Sequence, residues 1–369
     1  MKIVEFTEEG ELKDRCDYSE ALIEIRDSPK RNGQPIKSSN AKEVNPGKMV
    51  LMYVHGWKHD ASSEDEDFRH FKALLQELAE QEERAGQFRQ VVGVYIGWPG
   101  SATRFPILEE FTFWGRKRAA DRVAQAAYVS KLIGAIGSII CQRDNPDDFF
   151  VAIGHSFGAR VLYSATAQVL LQNLQYAHPG NKGGNYKFVH GPADLVVLLN
   201  PAFEAAMYTA FDSSRRWKEQ FNDKQQPLLL SIATTNDWAT KFFFPLGQVF
   251  DLEWRERQKA TLGNYSQYTT HDLVVSPARN SPAVGVPWYD ENCQGGVCLR
   301  RRADKHDDQK SSPLDQKGNP FIIAETGPEL LDGHNGIWGS RFRDWLIGFI
   351  RTLETNRNQV SGSATCRLQ

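Results

Sequence analysis

Residues 149–162 read FFVAIGHSFGARVL. An apolar run passes without a break into Gly154-His155-Ser156-Phe157-Gly158, and an amphipathic segment follows at once. A continuous apolar run of this length suits a strand buried on both faces. The segment after it suits a helix packed back on that strand. The junction must then be a tight strand-to-helix turn. Glycines on either side of the serine remove the Cβ atoms that would hold strand and helix apart. The pattern predicts a turn that lifts Ser156 above the strand end, with a helix N-terminus aimed at the same spot.

Working outward, similar apolar runs occur at residues 49–54, 91–96, 195–199, 228–233 and 321–324. Residues 21–26 alternate and read as an edge strand, with 3–6 beside it. Helical patterns fill the intervals. Ser63-Glu64-Asp65-Glu66 is a capping box, behind which Phe68, Phe71, Leu74, Leu75 and Leu78 share one face. The acids there mark a helix start and not a metal site. A second helix is expected over 118–141, with Val123, Ala127, Leu132, Ile136 and Ile140 inward. A third begins just after Ser156, and a last one covers 341–353.

Strands alternating with helices predict an α/β fold, a mostly parallel central sheet flanked by helices. The expected organisation is N-terminal edge strands and a loop over 1–48, then one large domain over 49–353. Residues 238–319 have weak periodicity and form a long insertion before the last strand, an insert, cap or lid. The polar tail, 354–369, is expected to be disordered.

Composition narrows the class. The 369 residues are 40% hydrophobic and 24% charged, with a net charge of −2. Nothing in that balance favours nucleic acid or an anionic membrane surface. No apolar run is long enough for an integral membrane segment. The start, Met-Lys-Ile-Val-Glu-Phe-Thr-Glu-Glu, lacks the core of a signal peptide, so a soluble cytoplasmic protein is expected, with non-classical export left open. That setting predicts free thiols at Cys16, Cys141 and Cys366; Cys293 and Cys298 flank Gln-Gly-Gly-Val and could close a small loop, but are expected free too. No Cys/His spacing resembles a zinc site. Oligomeric state is not legible.

A G-x-S-x-G turn between strand and helix is the nucleophile elbow, which makes Ser156 the candidate nucleophile. Serine needs a base, and the base an orienting acid, in the chain order Ser, Asp or Glu, His. Past the run at 228–233 comes Asp237, with Glu204 as the alternative acid. Past the run at 321–324, in Leu-Leu-Asp-Gly-His-Asn-Gly, comes His334; the rival is His271, inside the insertion. An oxyanion hole needs two N–H donors. One is expected at Phe157, after the nucleophile, and the other at Trp57, in His55-Gly56-Trp57 at the end of the first long run. His155 is expected to pack beneath the elbow. His55, His59 and His70 suit no ligand set. Aromatic and apolar residues at Phe105, Ile107, Leu108, Phe111, Phe113, Trp114, Trp238 and 242–244 read equally as an acyl-binding wall and as core.

On these residues, from His55-Gly56-Trp57 through Gly154-His155-Ser156-Phe157-Gly158 to Asp237 and His334, the chain resembles the α/β-hydrolase superfamily. Ile96-Gly97-Trp98-Pro99-Gly100 and Ala120-Asp121-Arg122-Val123-Ala124 are similar to a bacterial and fungal subgroup of it. The chain departs in the long interval between Asp237 and His334, and in carrying His-Gly-Trp where many carboxylesterases carry His-Gly-Gly-Gly. The resemblance implies a serine ester hydrolase, lipase-like, acting on a small-molecule ester or lipid without a cofactor or metal. The alternatives are an amidase or acyltransferase with the same triad, and a hydrolase-fold binding protein without catalysis.

Overall fold

The computed structural model describes residues 1–27, 46–86, 89–100, 118–123, 127–180, 184–214, 224–237, 256–276, 290–302 and 318–360, with 30–31, 34–35, 125, 221–222 and 240 besides. The chain divides into two compact units, Met1–Thr166 with Pro192–Asp194, and Ala167–Gly191 with Leu195–Val360.

The first unit holds four parallel strands, β1 (Lys2–Glu5), β2 (Lys48–Val54), β3 (Gln90–Gly97) and β4 (Phe149–His155), in the order β1-β3-β2-β4. Every residue of β2 and β4 is buried, which is why their sequences, apart from Lys48 at the start of β2 and His155 at the end of β4, are apolar and do not alternate. Their register sets Met49 opposite Phe149 and Val54 opposite Gly154, so the two strands end together. Among the described residues, the helices α1 (Arg15–Arg26), α2 (Glu66–Arg84) and α3 (Tyr128–Arg143), with a short helical stretch over 118–123, lie between these strands.

Three local expectations are corrected here. Residues 21–26 are the end of α1 and not an edge strand; Asp14 caps that helix by accepting from the Cys16 N–H, and Ala21 and Ile25, four apart, are its buried positions. The cap of helix α2 is Asp65 and not Ser63, two residues later, because the Asp65 carboxylate accepts from the Phe68 N–H. The helix expected over 118–141 is broken: residues 118–123 are helical, but Ala127 takes a left-handed conformation with φ 61°, and α3 starts after it.

One ion pair inside this unit is well placed to matter. Arg89 donates through Nε and Nη2 to both carboxylate oxygens of Glu82, at 2.8 and 2.7 Å, with side chains 5% and 2% exposed. Removing one member of a buried pair leaves a desolvated charge and costs about 3–5 kcal/mol. Glu82→Ala is therefore expected to lower the free energy of unfolding by about that much, read from a urea titration. A loss below about 1 kcal/mol would mean that water reaches Arg89 and screens it.

Helix α4 (Phe157–Ala177) follows β4 directly. The second unit holds β5 (Leu195–Leu199), β6 (Leu229–Thr234), β7 (His271–Val275), β8 (Glu291–Gln294), β9 (Val297–Arg301) and β10 (Phe321–Thr326), in the order β5-β6-β10-β7-β9-β8. The pairs β5–β6, β6–β10 and β10–β7 are parallel; β7–β9 and β9–β8 are antiparallel. The described strands of the 238–319 stretch thus extend the sheet beyond β10. The last helix, α5, runs Ser340–Val360, past residue 353 where the sequence pattern ends it and into the stretch expected to be disordered. The architecture is α/β, with mostly parallel strands flanked by helices.

The cysteine expectation is also corrected. Cys293 and Cys298 face each other across the β8–β9 hairpin with Cα atoms 4.0 Å apart, and they are bridged. Cys141 is disulfide-bonded as well, and Cys16 is the free cysteine among the described residues. Strand pairing brought 293 and 298 opposite one another, which spacing alone does not reveal. Among the described residues, no helix is long and apolar enough to cross a membrane.

Candidate active site

In the first unit, β4 runs into Ser156, whose φ of 55° places it in the left-handed region, and α4 begins at the next residue. A non-glycine residue held there is strained and persists only where its surroundings over-determine it. Those surroundings are visible. A Cβ on Gly158 would collide with the carbonyl oxygens of Val54 and His55, and one on Gly154 would fall 2.8 Å from the Ala159 Cα. Both glycines are thus required by the closeness of β2, β4 and the start of α4. Ser156 and Phe157 are buried.

The end of β2 lies against the elbow. A Cβ on Gly56 would sit 2.7 Å from His155 Nδ1 and 3.0 Å from the Ser156 Cβ. The His55 ring fixes the next peptide. Its Nδ1–H donates to the Gly56 carbonyl at 2.9 Å, and its Nε2 accepts from the Trp98 N–H at 3.1 Å. Those two bonds select the neutral tautomer. Burial agrees, pushing the His55 pKa down to about 4, although the bond to the Gly56 carbonyl opposes the shift. Trp98 stacks on His55 with centroids 5.5 Å apart and donates its indole N–H to the His55 carbonyl at 2.8 Å. The Gly56–Trp57 peptide is trans, so holding its carbonyl toward His55 turns the Trp57 N–H the opposite way. The sequence reading missed this use of His55 and Trp98; the one signal for it is an aromatic placed directly after the β3 run.

His155 is fully buried, with Nδ1 3.8 Å from Asp67, whose carboxylate accepts from the Tyr53 hydroxyl at 2.7 Å. His59 pairs with Asp65 at 3.1 Å, and His70 is exposed on α2. Among the described residues, the one cluster with metal-ligand atoms close together is Glu291, Cys293 and Cys298. Its two sulfurs are spent on the disulfide.

In the second unit, the turn after β6 carries Asp237 and the loop after β10 carries His334. The structure brings these two together: His334 Nδ1 donates to Asp237 Oδ2 at 2.8 Å. The other carboxylate oxygen accepts from the Thr240 N–H at 3.1 Å. Asp237 is 1% exposed. Burial opposes its ionisation, but the charge and hydrogen bond of His334 and the bonds from Thr240 outweigh that and hold the carboxyl below its ordinary range. A proton fixed on Nδ1 leaves Nε2 as the basic nitrogen of the neutral ring. The rivals are placed elsewhere. His271 opens β7, fully buried, with Nδ1 2.8 Å from the Thr270 hydroxyl, and Glu204 bridges to Thr261.

Two asparagines that the sequence reading did not single out fasten the histidine loop. Asn236 donates to the Asp332 carboxylate at 3.0 Å and accepts from the Gly333 N–H at 2.9 Å. Asn200 donates to the carbonyls of Gly333 and His334. The aromatic segments considered as an acyl wall, residues 105–114, 238 and 242–244, lie outside the described residues.

No protein-family model matches the chain, and no curated protein matches it in sequence. Among solved structures it is similar to phospholipase PlaB from Legionella pneumophila in complex with thio-NAD, at 12% identity and a TM-score of 0.30 over 85% of this chain. It spans 63% of that phospholipase chain's length. It is also similar to a T. brucei arginase-like protein in a reduced form, at 10% identity and a TM-score of 0.23, over 92% of this chain and 98% of that one.

Proposed function

We propose that the chain is a serine hydrolase that cleaves carboxylic esters, hydrophobic acyl esters among them, through an acyl-enzyme. The observation that carries this reading is the 2.8 Å bond from His334 Nδ1 to a buried Asp237, on loops that follow two neighbouring parallel strands. The strained elbow at Ser156 supports it independently. Ser156 Oγ attacks the ester carbonyl while its proton passes to His334 Nε2. The Phe157 and Trp57 N–H groups receive the developing oxyanion. The C–O bond to the alcohol then breaks, and His334 returns the proton to the leaving oxygen. Water attacks the acyl-enzyme by the same steps in reverse and releases the acid. Asp237 keeps the imidazole in one tautomer and stabilises its cationic form.

A fluorophosphonate probe tests the assignment. The intact protein is expected to gain one phosphonyl adduct, located by peptide mass spectrometry on Ser156, and Ser156→Ala to gain none. Label-free wild-type protein, together with no hydrolysis of short nitrophenyl esters, would end the proposal.

A further inference from the structure

Asn200 follows β5 in a left-handed conformation, with φ 42°, and is 1% exposed. Its backbone N–H donates to the Ile232 carbonyl of β6 at 2.9 Å. Its side-chain Oδ1 accepts from the Thr234 N–H, the last residue of β6, at 3.0 Å. Its Nδ2 donates to the His334 carbonyl at 2.8 Å and to the Gly333 carbonyl at 3.3 Å. One side chain therefore ties the end of β6, three residues before the acid, to the backbone of the base itself.

We infer that Asn200 is a positioning residue for proton transfer, holding the His334 backbone at the height that lets its ring meet Asp237. This rests on the serine-hydrolase reading above. The residue type follows from the geometry. The site needs an acceptor facing one N–H and a donor facing two carbonyls, on a one-carbon stem. Asparagine provides both, and it tolerates the left-handed backbone better than most residues. Aspartate would set a carboxylate oxygen against two carbonyl oxygens, and glutamine would be too long. Glycine would accept the backbone at no cost but would leave the loop carbonyls without their donor.

That difference separates positioning from mere backbone accommodation. Asn200→Gly and Asn200→Asp are compared with the wild type in nitrophenyl ester turnover, in thermal unfolding, and in the proton NMR signal of the His334 Nδ1–H. A displacement of the base by a fraction of an ångström to an ångström costs up to about 100-fold in rate. The expected result is a kcat lowered by about 10- to 100-fold in both variants, with KM nearly unchanged, and a shifted or broadened Nδ1–H signal. Asn200→Gly, which suits the native backbone, is expected to remain folded. If Asn200→Gly keeps kcat within about twofold and leaves the imidazole signal in place, while wild-type turnover depends on Ser156, the positioning role is overturned and the hydrolase reading stands. If wild-type protein has no Ser156-dependent turnover, the reading fails and takes the positioning role with it.

Discussion

Ser156→Ala and His334→Ala are each expected to lower kcat toward a nitrophenyl ester by about a millionfold, and the double variant by little more. The reason is that neither group acts alone. A serine hydroxyl at neutral pH is a weak nucleophile until a base removes its proton in the transition state. An imidazole without the hydroxyl has nothing to deprotonate but water. Removing either member therefore removes the same step, and the second substitution finds nothing left to remove. What is expected to remain is the rate supplied by substrate binding and by the N–H donors proposed at Phe157 and Trp57, about 10³- to 10⁴-fold over water. Additive losses in the double variant would show that Ser156 and His334 serve separate purposes, and the proposed mechanism would have to be abandoned. Full activity in either single variant would do the same.

Asp237→Asn is expected to lower kcat by about 10⁴-fold at neutral pH while leaving the fold intact. An amide in place of the carboxylate can present its N–H to Nδ1, which would put the imidazole proton on Nε2, the nitrogen that has to be basic. The substitution also changes how stability depends on pH. The Asp237 carboxyl is held below its ordinary value in the folded state by His334 and Thr240, against the opposing effect of burial. A carboxyl whose pKa is depressed on folding contributes stability above its unfolded pKa, near 4, and loses it as pH falls through the lower folded value. Wild-type protein should therefore lose stability on acidification in that window, and Asp237→Asn should lose less. Urea midpoints taken between neutral pH and pH 3, beside kcat at neutral pH, read both effects. An unchanged kcat would show that Asp237 does not orient the base.

Much of the fold is legible because burial on two faces leaves a plain signature. Residues 49–54, 91–96, 149–153, 195–199, 228–233 and 321–324 carry no polar alternation because each lies in a strand buried along nearly its whole length. The misread elements are those whose shape is decided elsewhere. Alternation over 21–26 is short enough to fit a strand, and the cap that makes it a helix lies back at Asp14. The break at Ala127 has no local mark, since alanine is a good helix former. The cystine at 293 and 298 depends on which residues the hairpin sets opposite each other. In the candidate site, Ser156 stands out through its glycines, and Asp237 and His334, which the structure brings together, through their places after strands. Asn200 does neither: its partner, the His334 carbonyl, is 134 residues away. Side chains that bond to distant backbone leave no periodicity to read.

The extension of the sheet beyond β10, which starts with the parallel strand β7, bears on the long interval between Asp237 and His334. Without β7, the strand that leads to the histidine would be a sheet margin, hydrogen-bonded to β6 alone. With it, residues Ala324–Thr326, the half of β10 nearest the loop, are flanked by β6 and β7 at once. Marginal strands are where local opening is cheapest. Strand β7, within the interval between Asp237 and His334, thus has an employment of its own: it turns the strand that leads to His334 from a fringe that can peel away into a plank nailed along both sides.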